Sequence, residues 1–422
     1  MATTAVRAQQ KAFTLGRSQW LGIVFLIAGL LTFLFFGRGL EAGIKTKFGL
    51  NPGFASQAIP IPDLVLPTQP TIYAMVLIML LLGVLQLVRG FRFADALLGV
   101  VALCFVFAFL TWAARGKSFN LVGMLGSSLV RATPIALAAL CGIMCERSGV
   151  VNIAIEGIML ISAQVAVVVA TVTKNLYAGL VAAILSGAII SAFHAAMAVS
   201  FKVDQIVSAT AINIFATGAT SFISARFLEK NTNLLNNSGT FRIISIPLLS
   251  KIPILGPIFF ENGLIVYLML ILTVLVHILL FYTKWGLRVR AVGEHPRAAD
   301  TLGINVYLVR YVSVILGGMI AGIGGAYFTI GSVGRFDEIM TAGKGFIGLA
   351  AMIFGKWAPF GAFASSILFG FADSLQIKLQ ILRVPIPSEF LLMAPYIVTM
   401  IVLTGVVGRA EPPAADGQPY EK

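Results

Sequence analysis

Residues 262–283 read NGLIVYLMLILTVLVHILLFYT, twenty-two positions without a charged side chain. A helix rises about 1.5 Å per residue, so such a run spans the roughly 30 Å hydrocarbon core of a bilayer, where backbone N–H and C=O groups must pair within the segment. The stretch therefore reads as a membrane-crossing helix. Comparable uncharged runs cover 18–37, 64–88, 96–114, 157–173, 175–201, 205–225, 311–334, 357–372 and 390–408. A further run, 118–145, is interrupted by Arg131, and 345–355 is too short to cross alone. The chain is predicted to be an all-α polytopic membrane bundle of ten to twelve transmembrane segments.

Composition agrees. With 58% hydrophobic and 11% charged residues, the chain has too little polar surface to cover a water-soluble globule of 422 residues. Its net charge of +13 is scattered through short segments between apolar runs and forms no basic face, which argues against a nucleic-acid partner. Arg7, Lys11 and Arg17 precede the first run like a secretory leader, but the apolar core is too long and no small-residue cleavage pattern follows. It reads as a retained first helix.

Two interruptions differ in chemistry. Residues 226–261, with Asn231, Asn233, Asn236 and Asn237 among Gly and Pro, read as an external loop with little regular structure. Residues 284–310 gather Lys284, Arg288, Arg290, Arg297 and Arg310, the mark of a cytoplasmic connector under the positive-inside rule. An even number of crossings then places both termini inside. The tail 409–422, rich in Pro, Ala and charge, is expected to be disordered.

Within the connector, Glu294 to Gly303 carries Pro296 where a helix should start and Gly303 where it should stop. This predicts about two helical turns, too few to be stable without docking. The segment is either a plain solvated link or a coupling helix for a cytoplasmic partner. In Glu146–Gly157, Glu156 is a candidate substrate or proton site, or it helps Glu146 and Arg147 secure a tight turn. Ser208, Thr210 and Asn213 either bond neighbouring helices or line a wet path, while the spacing of Gly317, Gly318, Gly322, Gly324 and Gly325 points to close helix packing. Three dispersed histidines have no metal-ligand spacing, and Cys104, Cys141 and Cys145 read as small buried thiols, so no metal or cofactor is expected. The chain lacks a G-x-x-x-x-G-K-[ST] loop and a TVGYG-like filter, so it is expected to be neither an ATP-hydrolysing enzyme nor a potassium-type channel.

Three separated segments together resemble one family: ERSGVVNIAIEG (146–157), GLRVRAVGEHPRAADTLG (286–303) and TAGKGFIGLAAMIFGKWAP (341–359). They resemble inner-membrane permeases of binding-protein-dependent ABC importers, in the group serving branched-chain amino acids, simple sugars and nucleosides. The likeness covers about residues 121–408, and residues 1–120 resemble the variable leading helices of the longer nucleoside-type permeases. Ribose-type permeases carry a GIDLS-like segment where this chain has GVVNIAIE, and the segment 204–213 resembles the nucleoside-type V-N-E-V-I-S-T-L-M-L-N, although Asp204-Gln205 replaces Asn-Glu and Ala211-Ile212 replaces Met-Leu.

The resemblance implies a variable helical region 1–120, a permease core 121–408 with a coupling loop 284–306, and a terminal tail. It implies a permease subunit of an ATP-driven importer closest to those for nucleosides, in a bacterial plasma (inner) membrane. Gly293, Glu294, Arg297, Ala298, Ala299 and Gly303 would form the helix that couples to the ATPase, with Asn152, Glu156 and Asn213 near the translocation path. Expected partners are a homologous second permease subunit, ABC ATPase subunits that use the ATP, an extracytoplasmic substrate-binding protein and lipid. A simple sugar such as ribose is the alternative cargo. An ion-coupled secondary transporter, with Glu156 as the exchanging group, is the alternative from another class.

Overall fold

The computed structural model describes residues 16–52, 59–91, 93–387, 389–390, 393 and 411–421. These divide into two compact units. The smaller comprises the chain up to Leu50, Pro62–Leu121 and Leu382–Val384. Its helices are α1 (Arg17–Thr32, prolonged by a wider turn Phe33–Gly37), α2 (Thr68–Arg89) and α3 (Ala94–Ala113). Helices α1 and α2 approach closely because Gly22 faces Leu87 and Gly83 faces Leu26. Phe25, Ile72 and Met79 fill the space between the helices, while Leu77, Leu81 and Leu103 point outward, as lipid-facing side chains do.

Strands β1 (Lys45–Gly49), β2 (Leu64–Pro67) and β3 (Ser118–Asn120) form a small sheet in the order β2-β1-β3. The run 64–88 is thus not helical throughout. Pro67 biases Leu66 toward extended backbone, and the helix begins at Thr68.

The larger unit contains α4 (Leu121–Glu146), α5 (Ile155–Thr173), α6 (Leu176–Ala195, continued by Ala196–Ser200) and α7 (Gln205–Ile223, continued by Ser224–Leu228). After the short α8 (Thr232–Leu235), β4 (Ile243–Ser245) and α9 (Leu255–Phe259), β5 (Glu261–Gly263) pairs antiparallel with β4 and leads into α10 (Leu264–Tyr282). There follow α11 (Lys284–Glu294), α12 (Pro296–Thr301), α13 (Val306–Phe328, continued by Thr329–Val333), α14 (Lys344–Phe354) and α15 (Pro359–Ile381).

Among the described residues ten helices are long and apolar enough to cross a membrane, so the chain is an all-α, multi-pass membrane protein. The run interrupted by Arg131 is one continuous helix, α4, that carries Pro134 as well. The run 390–408 lies almost wholly outside the described residues.

The glycines of α13 decide how the larger unit closes. A Cβ at Gly318 would lie 1.9 Å from Ser191 Oγ, one at Gly187 2.2 Å from the Gly318 carbonyl, and one at Gly322 2.3 Å from the Ala183 carbonyl. Helices α6 and α13 therefore meet backbone to backbone. The loop 226–261 holds several short elements and is fastened by Asn236, whose side chain accepts from Phe336 N at 2.6 Å and donates to Phe336 O at 3.0 Å.

Candidate transport and coupling site

Helix α14 has eleven residues and spans about 16 Å, half a crossing. Gly345 near its start and Phe354, Gly355 and Trp357 at its end are buried, so the backbone groups there need partners. At its N-terminus the Glu156 carboxylate accepts from Thr341 Oγ1 at 2.6 Å, Gly343 N at 2.8 Å and Gly345 N at 2.7 Å. A negative charge at a helix N-terminus satisfies orphan N–H groups and opposes the positive end of the helix dipole. The TAGKG segment makes this approach possible: Gly343 has φ +77°, and a Cβ on Gly345 would lie 2.7 Å from the Glu156 backbone.

At the other end Arg147 donates to the carbonyls of Trp357 (3.1 Å) and Lys356 (3.3 Å), a cation at the negative end of the dipole. Trp357 Nε1 donates to Glu146 at 2.6 Å. Segment 146–157 thus pins α14, which lies within the sequence-distant segment 341–359, at both ends.

The remaining path candidates sit beside this node. Asn213 accepts from Gly157 N at 2.8 Å and donates to the Ile153 carbonyl at 3.0 Å, tying α7 to the start of α5. Asn152 turns the chain by accepting from Ala154 N at 3.1 Å and donates to Cys145 Sγ at 3.4 Å. Asn152 and Asn213 satisfy backbone at the turn into α5, while Glu156, in the first turn of α5, serves the start of α14.

Arg131, whose partner is silent in the sequence, donates to Asp373 Oδ2 at 3.3 Å, and Lys344 reaches the same oxygen at 3.1 Å. This trio lies in the wall of a cavity of about 750 Å³, together with Ser127, Tyr327, Phe328 and Phe241. The volume falls within the range of roughly 300–1,000 Å³ typical of small-molecule sites. Pro134 lines it too, and having no N–H it leaves the Val130 carbonyl without its helical donor there. Lys344 and Asp373 were not singled out by the sequence: one borders a short apolar run, the other the end of a crossing. Only the fold brings them to Arg131.

The connector is built on the same node. Gly293 closes α11 against the turn after α4, where a Cβ would meet the Arg147 carbonyl at 2.3 Å. Pro296 starts α12 and Gly303, at φ +80°, follows its end, as the spacing predicts, although the helix has six residues. Ala299 is buried, while Glu294, Arg297, Ala298 and Gly303 are exposed, as is Leu302 at 81%.

The tail departs from expectation. Residues 411–421 are not loose but seated on the connector and on the turn after α4. Ala415 N donates to the Gly293 carbonyl at 2.9 Å, Ala414 N to Glu294 Oε2 at 3.2 Å, and Arg310 to the Gln418 carbonyl at 2.9 Å. Composition alone favoured a solvated end, but Ala415 and Tyr420 are 4% and 5% exposed, and the buried Arg310 needs an acceptor.

Burial pushes the Asp416 carboxyl up to about 6, against the opposing effect of its hydrogen bond with Glu146 and of Arg310. A carboxyl whose pKa is raised on docking favours the docked tail while protonated, and that contribution is lost as pH rises through about 6. Limited proteolysis should therefore clip the tail faster at about pH 7.5 than at about pH 5, and Asp416→Asn should flatten the difference.

Residues 124–406 match the family described as branched-chain amino acid transport system / permease component. The chain is 44% identical over 312 residues to the guanosine ABC transporter permease protein NupQ of Bacillus subtilis, covering 70% of this chain and 95% of that protein. It is 41% identical over 310 residues to the nucleoside ABC transporter permease protein NupC of Lactococcus lactis, covering 71% and 96%. It is also 25% identical over 280 residues to the guanosine ABC transporter permease protein NupP of Bacillus subtilis, covering 64% and 77%. No solved structure matches. With ten membrane-length helices among the described residues, its half-crossing helix pinned at both ends and its connector seated on that node, the chain belongs to the branched-chain amino acid transport system permease family.

Proposed function

We propose that this chain is a permease subunit for nucleosides in an ATP-driven ABC importer of a bacterial plasma (inner) membrane. The observation that carries the reading is the seating of the connector. Helix α12 offers Arg297, Ala298 and Leu302 outward, and its root at Gly293 is in backbone contact with the turn that holds one end of α14. A push on α12 therefore reaches the Glu156 node and the cavity wall through the close backbone contact at Gly293.

In this reading ATP is bound and hydrolysed by separate cytoplasmic subunits, and a binding protein delivers cargo to the opposite face. Likeness to both NupQ and NupP supports a homologous second permease beside this chain. Cargo crosses by way of the cavity, where Arg131 and Lys344 offer N–H donors and Phe241, Phe328 and Tyr327 offer ring faces, a wall suited to a neutral molecule with an aromatic base and many hydrogen-bonding groups. Asn152, Glu156 and Asn213 act on the path indirectly, by holding the helix ends that shape it.

The test is uptake of labelled guanosine into proteoliposomes holding this chain, with and without the second permease, the ATPase and the binding protein, and with ribose as competitor. Uptake that needs every component and ATP and resists ribose supports the reading. Uptake by this chain alone under an ion gradient overturns it. Arg297→Glu, which reverses the charge on the exposed face of α12, should lower ATP-driven uptake about tenfold or more while the protein assembles normally.

A further inference from the structure

Arg310, near the start of α13, is 1% exposed and is among the largest fully buried side chains of the described residues. A guanidinium placed there needs hydrogen-bond acceptors and negative charge, because burying an unpaired cation is costly. Among the described residues its hydrogen bonding runs through Nη1 to the Gln418 carbonyl, while Nε and Nη2 have no partner. The carboxyl whose charge acts on it most is Asp416. Both come from the tail, so a residue of the membrane core depends on residues 411–421 for its compensation.

The same eleven residues also hold the connector. Ala415 N donates to the Gly293 carbonyl, Ala414 N donates to Glu294 Oε2, and the Tyr420 ring lies edge-on to Tyr307 at 5.5 Å with its hydroxyl beside Asp300 of α12. On the far side Glu421 pairs with Lys202 at 2.9 Å, in the link between α6 and α7. The tail therefore runs from the end of α11 along α12 and is fastened to the bundle at Arg310 and Lys202.

We propose that residues 411–421 are a brace that fixes the coupling segment α11–α12 to the membrane core, with Arg310 and Tyr420 as positioning residues for the coupling of ATP hydrolysis to transport. This rests on the ABC-importer reading. Without the brace, α12 would still meet the ATPase, but its displacement would be partly absorbed by rocking of the connector about Gly293 instead of passing into the turn at Arg147 and α14. Hydrolysis would continue while transport per ATP fell.

The test uses the complete reconstituted importer, with phosphate release and labelled guanosine uptake measured together. A chain ending at Ala410 should lose about fivefold or more in guanosine moved per ATP, the lower end of typical coupling between sites, with hydrolysis within about twofold of the intact complex. A synthetic peptide of residues 411–422 added at the connector side should restore part of the loss. Tyr420→Ala, which leaves the backbone contacts to Gly293 and Arg310 in place, should show a smaller loss of the same kind, and it gives the answer if the shortened chain does not assemble. An unchanged ratio of uptake to hydrolysis in an assembled variant overturns the brace. Absence of ATP-dependent uptake by the intact complex overturns the importer reading itself, a different and separable failure.

Discussion

Glu156→Ala should destabilise the protein by about 2–4 kcal/mol, because it strands the Thr341 hydroxyl and the Gly343 and Gly345 amides at a helix end with no other acceptor. The measurement is the loss of monodisperse protein on heating in detergent. Glu156→Gln keeps one acceptor oxygen but turns an amide N–H₂ toward a donor, so it should fall between wild type and the alanine variant. The gradation separates two roles for this carboxylate. A proton carrier replaced by glutamine would keep its thermal stability and lose transport alone; a helix cap loses both together, in proportion.

Gly318→Val should be worse still, about 4 kcal/mol or more, and is expected to leave no assembled protein. Its Cβ would stand 1.9 Å from Ser191 Oγ and 2.5 Å from the Gly187 carbonyl, and the carbonyl belongs to a helix backbone that cannot move aside locally. Gly218→Ala in α7 is the control. Nothing lies within 4 Å of a Cβ there, and alanine favours a helix by roughly 1 kcal/mol over glycine, so that variant should express as well as wild type or better. Equal yields of the two variants in membranes would show that α6 and α13 do not pack through these glycines.

These two positions differ in how visible they were. The glycines of α13 announce themselves, since small residues at helical spacing within an apolar run permit close approach whatever the partner. Glu156 was visible only as a carboxylate near hydrocarbon, and its chemistry stayed open between proton exchange and structure. What decided was the TAGKG segment, whose amides arrive from far along the chain; no local pattern reports a cap donated in trans. Arg131 is the same case, as Asp373 and Lys344 meet it only because α4, α14 and α15 converge.

The sequence by itself determined the solvent, the element type and most helix positions. A bilayer imposes a length and an internally paired backbone on every crossing, and both constraints are local. It also marked the connector, through its charge and its Pro and Gly stops. Only the tertiary structure decided what each polar group is for: that Glu156 and Arg147 hold opposite ends of α14, that Gly293 rests on the turn after α4, and that an end with the composition of a disordered tail is seated where Arg310 requires it. Those roles depend on partners brought together by folding, and the energy of a buried charge or an unpaired amide is set by what surrounds it, not by its neighbours in the chain.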